Sequence, residues 1–142
     1  MAQQMSREEY MSFMLERART AVLATVRADG WPPAAPIWFD LHGDTLVFTT
    51  GESTVKGRNM RRDARVSLCI DEKEPPFHFV LIEGAADLTA GDPNLLYWAT
   101  RIGGRYMGAD RADEYGRRNA VESELSVRIR PQKIVACKNI SD

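Results

Sequence analysis

The stretch that decides the fold covers residues 45–63 and reads TLVFTTGESTVKGRNMRRD. Its first half, Thr45 to Thr50, is a short run of β-branched and apolar residues, which predicts a strand. Gly51 then breaks the pattern, and Ser53 is predicted to cap a short helix from Thr54 to about Arg62. The start of a helix has free N–H groups and a positive dipole end, and Lys56 in its first turn adds a full charge. The segment therefore suits an anion such as a phosphate, although an ordinary capped surface helix with solvated basic side chains fits the same residues.

Strand patterns surround this segment on both sides, and a capped helix precedes them. Ser6 and Glu9 form a capping-box pattern, which predicts a helix to about Ala18. The predicted strands are Thr20–Val26, Pro33–Leu41, Thr45–Thr50, Val66–Asp71, Phe77–Leu88, Glu124–Ile129 and Ile134–Lys138. Pro33 and Pro36 cannot donate to a ladder, so their strand is predicted to be an edge or to carry a bulge.

Several glycines and prolines predict where the other elements bend or end. Gly84 is a predicted bulge or bend, and the two closing strands flank Pro131. One helix is predicted to open at Asp92–Pro93 and to end near Gly103 and Gly104, and another to cover about Ala112 to Asn119. Strands at hairpin spacing with short helices between them predict a mainly β (α+β) fold. We expect an antiparallel barrel of about six strands, formed by residues 1–142 as a single domain.

Composition and charge narrow the function. The chain has 142 residues, 44% of them hydrophobic, and a formal net charge of -1, which does not favour nucleic acid or an anionic membrane as a partner. Cys69 and Cys137 lie in β-like runs without a CxxC or Cys/His cluster, so we expect reduced thiols and no metal site. Because the sequence shows no signal pattern and no long apolar run, the expected location is the cytoplasm.

Three segments, in this order and spacing, resemble a known family. They are AVLATVRADGWP at 21–32, STVKGRNMRRDARV at 53–66 and IEGAA at 82–86. The chain resembles the pyridoxamine 5'-phosphate oxidase-like split-barrel proteins, and within them the flavin/deazaflavin oxidoreductases. The resemblance implies a six-stranded split β-barrel of the FMN-binding-protein type, a homodimer, and a cofactor in the groove between the subunits.

The resemblance also implies a set of cofactor-binding residues. Lys56 and nearby hydroxyls would hold the phosphate, and the backbone from Ala35 to Trp38 would line the ring system. The partner subunit would add Phe77 and Phe79, which as residues could equally be core aromatics. The full predicted set is Ala35, Pro36, Ile37, Trp38, Thr49, Thr50, Ser53, Lys56, Arg62, Phe77 and Phe79.

The resulting functional hypothesis is a deazaflavin (coenzyme F420)-dependent reductase that transfers a hydride to a conjugated small molecule. The alternatives are an FMN-dependent oxidoreductase and a non-catalytic cofactor-binding or haem-binding protein. Arg58, Arg61, Arg62 and Arg65 could hold an acidic cofactor tail, or could simply be a solvated helix face. The sequence shows no catalytic constellation, so it names no catalytic residue and no substrate, and residues 92–121 show no recognisable pattern.

Overall fold

An eight-stranded antiparallel sheet forms the body of the protein, in a computed structural model that describes residues 2–141. The strands are β1 (Gln3–Gln4), β2 (Ala21–Ala24), β3 (Ala34–Ile37), β4 (Asp40–His42), β5 (Thr45–Gly51), β6 (Arg65–Asp71), β7 (Phe79–Ala90) and β8 (Glu124–Lys138). The helices are α1 (Arg7–Glu16), α2 (Val55–Arg62), α3 (Leu95–Met107) and α4 (Ala112–Asn119), with a 3-10 helix at Ala109–Arg111. None of the helices found in residues 2–141 has the length and apolar character needed to cross a membrane.

The sheet curls into a half-barrel, and the chain itself shows why. Its strand order is β3-β2-β6-β7-β8-β5-β4, so β3 and β4 lie at opposite ends. Only Trp38 and Phe39 separate them in sequence, and the Cα atoms of Ile37 and Asp40 cannot be more than about 11 Å apart. The two ends must therefore approach each other, as in the predicted split barrel.

The predicted count of about six strands was wrong. One predicted strand is divided in two, and one further strand was not predicted. The run Pro33–Leu41 is not one strand: it pairs with β2 as far as Ile37, passes through Trp38 and Phe39, and then pairs with β5. The first part is an edge strand, as its prolines predicted. The short β1, which pairs with β8, was not predicted, and the sheet has eight strands instead of six.

The two predicted closing strands are one continuous strand, β8, which carries a bulge at Pro131. Lys133 pairs with Glu83 of β7, but Pro131 pairs with Gly84, so Gln132 is an extra residue in β8. A proline is tolerated there because a bulge does not need its missing N–H. A Cβ on Gly84 would lie 2.4 Å from the carbonyl oxygen of Arg130, so only glycine fits this close approach. The irregularity predicted at Gly84 is confirmed.

Helix α1 closes one side of the core. The predicted capping box is confirmed: the Ser6 hydroxyl accepts from the Glu9 N–H at 3.1 Å, and the Glu9 carboxylate accepts from the Ser6 N–H at 2.9 Å. Phe13 and Met14 are buried against the inner face of the sheet. The helix ends at Glu16, two residues earlier than expected.

Helices α3 and α4 pack on each other through glycines. The helix predicted to end near Gly103 and Gly104 continues to Met107, and it begins at Leu95 instead of Pro93. A Cβ on Gly103 would lie 2.6 Å from the Cβ of Tyr115, so this glycine allows a close helix contact and does not terminate the helix. Helix α4 has the predicted bounds.

Candidate functional site

The start of α2 is built by Thr54, and not by Ser53 as predicted. The Thr54 hydroxyl accepts from the Gly57 N–H at 3.1 Å and donates to the Gly51 carbonyl at 2.8 Å. It also shares a hydrogen bond of 2.9 Å with the Thr50 hydroxyl, so β5 and α2 are tied together at the turn. Ser53 is exposed. The misassignment is one residue long, because two adjacent hydroxyl residues are equally good caps by sequence.

A cleft of about 340 Å³ opens beside this helix start. Strands β3, β5 and β8 and helices α2, α3 and α4 contribute to its walls. The residues predicted to bind a cofactor that the structure brings together here are Pro36, Ile37, Trp38, Thr49, Thr50 and Lys56. Gly51, Ile102, Asn119 and Glu124 complete the lining. Residues from several strands and helices thus share one concave surface. Small-molecule sites usually occur on such surfaces.

One end of the cleft is rich in hydrogen-bond donors. Lys56 is the second residue of α2, and it forms no ion pair with any carboxylate of residues 2–141. The first N–H groups of a helix have no intrahelical acceptor, so those of Val55 and Lys56 are free to bind a ligand. Together with the dipole of α2, these groups favour an anion at this end.

The cleft lining includes one aromatic ring, that of Trp38, and helix α3 fixes it in place. The Trp38 ring stacks on the Tyr106 ring, with centroids 5.0 Å apart and planes 3° from parallel. The Tyr106 hydroxyl accepts from the Phe39 N–H at 3.1 Å and donates to the Arg19 carbonyl at 2.7 Å. Burial raises the pKa of Tyr106, so the hydroxyl stays protonated and keeps its donor role. Trp38 and Phe39, which link β3 to β4 and close the barrel, are therefore held by Tyr106. This tyrosine belongs to residues 92–121, for which the sequence showed no recognisable pattern.

Glu124 is a charged residue of the cleft that the sequence did not reveal. It begins β8, pairs with Gly51 of β5, and is half-buried. Burial raises the pKa of Glu124, although the Thr49 hydroxyl and the charge of Lys56 act in the opposite direction. No motif marks it, because its place in the cleft depends on the β5–β8 register. Ile102 and Asn119 were missed for a similar reason, since they reach the cleft through the packing of α3 and α4.

Five predicted residues do not line this cleft within one chain. Ala35 pairs with Leu23 on β3, and Ser53 is exposed at the turn. Arg62 donates to the Asn59 side-chain oxygen at 3.1 Å and lines a different pocket. Phe77 precedes β7, and Phe79 begins it. Their assignment to the partner subunit's site remains a prediction.

The family model for pyridoxamine 5'-phosphate oxidase matches residues 6–136. The match covers nearly the whole barrel and every residue of the cleft. The chain therefore belongs to the pyridoxamine 5'-phosphate oxidase family, in agreement with the resemblance found in its sequence. No match is found among the curated proteins.

Solved structures share this fold. A conserved hypothetical protein of Mycobacterium tuberculosis is 21% identical, with a TM-score of 0.82 over 97% of this chain and 88% of that one. An F420 reductase is 26% identical, with a TM-score of 0.68 over 87% of this chain and 94% of that one. The haem storage protein of Vibrio cholerae is 19% identical, with a TM-score of 0.71 over 93% and 96% of the two chains. The two structures with the lower identity show the likeness of the fold alone.

Proposed function

We propose that this protein is an oxidoreductase that holds coenzyme F420 by its phosphate in the cleft and transfers a hydride between the reduced cofactor and a conjugated small molecule. One observation carries the proposal. Lys56, at the start of α2 and without an ion pair in residues 2–141, lines the same cleft as the aromatic ring of Trp38. The family match and the likeness to an F420 reductase support a cofactor of this type.

The donor set of the cleft fits a phosphate. Lys56 provides a charged donor, and the N–H groups of Val55 and Lys56 provide neutral ones. The Thr49 hydroxyl lies at the same end, whereas the Thr50 hydroxyl is already bonded to Thr54 and serves the turn. Each of these groups is set by the β5–α2 turn, so binding requires little rearrangement.

The aromatic ring of Trp38 fits a flat heterocycle. Trp38 is held by its stack on Tyr106, and the edge strand β3 leaves its outer side without a strand partner in residues 2–141. When bound, a flavin or deazaflavin supplies the hydride chemistry, and the protein supplies orientation and exclusion of water. The lining residues of the cleft include no Ser/His or Cys/His pair that would act as a separate catalytic unit.

A pocket next to the cleft favours the deazaflavin over FMN, because only the former has an acidic oligoglutamate tail. This pocket is lined by Arg27, Arg58 and Arg62, and also by Val55, the sequence neighbour of Lys56, and by Asp29, which pairs with Arg27. Arg58 forms no ion pair within residues 2–141, so its guanidinium can take a carboxylate. Arg65 is less suited, since Asp63 already binds its guanidinium at 2.6 Å.

A second copy of the chain is the partner we propose, and an apolar row on the outer face of the sheet supports it. The register places these residues side by side across five strands: Pro36, Val22, Cys69, Leu81 and Val135. Val22, Leu81 and Val135 are 43%, 40% and 40% exposed, which is unusual for a row of apolar residues. Pro36 also lines the cleft, and Phe79 lies two residues from Leu81 on the same face. A copy docked on this row would bring its Phe79 towards the cleft.

Titration with coenzyme F420 and with FMN, followed by fluorescence polarisation, tests the proposal. Lys56→Ala removes a charged hydrogen bond to the phosphate and is expected to weaken binding by about 1.5–3 kcal/mol, roughly 10- to 150-fold. Arg61→Ala is the matched control, because Arg61 is an exposed residue of the same helix outside the cleft. Equal affinities of the wild type and Lys56→Ala would remove the phosphate site.

The same titration separates the cofactors. Tighter binding of coenzyme F420, reduced by Arg58→Ala, supports the deazaflavin assignment. Tighter binding of FMN, with no effect of Arg58→Ala, replaces it with an FMN-dependent oxidoreductase. A haem protein would instead need an axial ligand, and neither histidine lines the cleft: His42 packs on Trp98, and His78 accepts from the Asn139 N–H.

A further inference from the structure

Glu124 places a carboxylate at the anion-binding end of the cleft, where a phosphate would meet a like charge. Its partner in the ladder is Gly51, the residue at which the chain turns into α2. A Cβ on Gly51 would lie 3.8 Å from Oε1 of Glu124, so the carboxylate lies over the glycine, next to the turn. The carboxylate is therefore close to the residue at which the chain turns into the helix.

The other groups that face Glu124 define its electrostatic surroundings. Lys56 of α2 is the other charged residue of the cleft lining, and the Thr49 hydroxyl of β5 is the nearest neutral donor. Helix α4 contributes the neutral Asn119, and α3 contributes Ile102. Without a ligand, the Glu124 carboxylate therefore occupies the position of an anion beside Lys56.

A bound phosphate changes this balance. Its charge enters the cleft that the Glu124 carboxylate lines, and the two like charges disfavour each other. Burial already penalises the ionised form of Glu124 and raises its pKa. A neutral carboxyl group would remove the repulsion and could donate its O–H to a phosphate oxygen.

We propose that Glu124 takes up one proton from solvent when a phosphorylated cofactor enters the cleft, and that this makes the affinity for phosphorylated ligands fall as the pH rises. The inference rests on the proposed phosphate site at Lys56. It adds a specificity element, because Glu124 disfavours a doubly charged phosphate monoester more than a singly charged ester.

Glu124→Gln tests the inference, because it keeps the shape of the side chain and removes the charge. At pH 8 the variant is expected to bind coenzyme F420 or FMN about tenfold more tightly. A factor of ten corresponds to a change of about one unit in the pKa of Glu124 between the free and the ligand-bound protein. Between pH 5.5 and 8, its dissociation constant should depend less on pH than that of the wild type. FMN has its own phosphate titration near pH 6, which occurs with both proteins, so the difference between the two pH profiles measures the contribution of Glu124.

Glu122→Gln is the matched control, because Glu122 is an exposed glutamate two residues away and outside the cleft lining. Its affinity and pH dependence should match those of the wild type. Riboflavin, which lacks the phosphate, should bind wild type and Glu124→Gln equally.

Calorimetry provides a second measurement on the same pair of proteins. Titrations with FMN in buffers of different ionisation enthalpy measure the number of protons taken up on binding. The wild type should take up more protons than Glu124→Gln, in which only the phosphate contributes. Equal proton uptake and equal pH dependence in the two proteins would overturn the inference. If Lys56→Ala still weakens binding in that case, the phosphate site stands and only the role of Glu124 fails. If the wild type binds neither probe, both proposals fail.

Discussion

Tyr106→Phe should loosen the link that closes the barrel. The hydroxyl of Tyr106 is the acceptor for the Phe39 N–H and the donor to the Arg19 carbonyl, and Phe39 itself is completely buried. Phenylalanine keeps the stack on Trp38 but leaves a backbone donor and a backbone acceptor without that partner. A buried donor without a partner costs about 1–3 kcal/mol, so we expect a loss of about 2 kcal/mol in the free energy of unfolding.

The expected loss in the free energy of unfolding can be converted into a decrease in the melting temperature, Tm. A domain of 142 residues has an unfolding entropy of about 0.3 kcal/mol/K, so the expected loss lowers Tm by about 7 °C. Differential scanning calorimetry and urea titration measure the two quantities. Tyr10→Phe is the control, because the Tyr10 hydroxyl forms no hydrogen bond within residues 2–141 and its loss should change Tm by less than about 2 °C. A Tm for Tyr106→Phe equal to that of the control would refute the role given to this hydroxyl.

Two further predictions concern the sheet. Gly84→Ala should lower the free energy of unfolding by about 3 kcal/mol, because its Cβ would lie 2.4 Å from the Arg130 carbonyl oxygen. Gly91→Ala, in open space at a φ of +64°, should cost about 1 kcal/mol, and equal midpoints in urea would contradict the steric argument. Leu81→Asp should convert a dimer into a monomer in sedimentation velocity, because it puts a charge in the apolar row. Leu96→Asp, which changes a more exposed leucine on α3, should leave the mass unchanged, and a dimer in both variants would exclude this face as the interface.

Local signals account for what the sequence predicted well. The runs of β-branched and apolar residues at Thr45–Thr50 and Val66–Asp71 predicted β5 and β6 within a residue. Ser6 and Glu9 predicted the capping box. Pro33 and Pro36 predicted that their strand, β3, lies at an edge of the sheet. These features depend on residues that are close together in the sequence, so the sequence pattern alone is enough to predict them.

The errors have a common physical origin, since each depends on contacts far apart in sequence. Gly103 and Gly104 were interpreted as a helix end, but Gly103 is small because Tyr115 packs against it. Pro131 was expected to separate two strands, but the bulge opposite Gly84 absorbs it. Helix propensity and turn preference cannot distinguish a glycine that ends an element from one that allows a close approach.

The cleft combines both kinds of information, and this explains why some of its lining residues were easier to predict than others. Lys56 and the turn before it form a local pattern, so the sequence pointed to them directly. Glu124 lies in the cleft only because β8 pairs with β5 in one register, and a shift of one residue would turn its side chain to the other face of the sheet. The negative charge of the cleft is therefore positioned by the topology of the barrel, and its positive charge by the local turn. If the proposed phosphate site is correct, changes in β8 will alter phosphate affinity while the Lys56 segment stays the same.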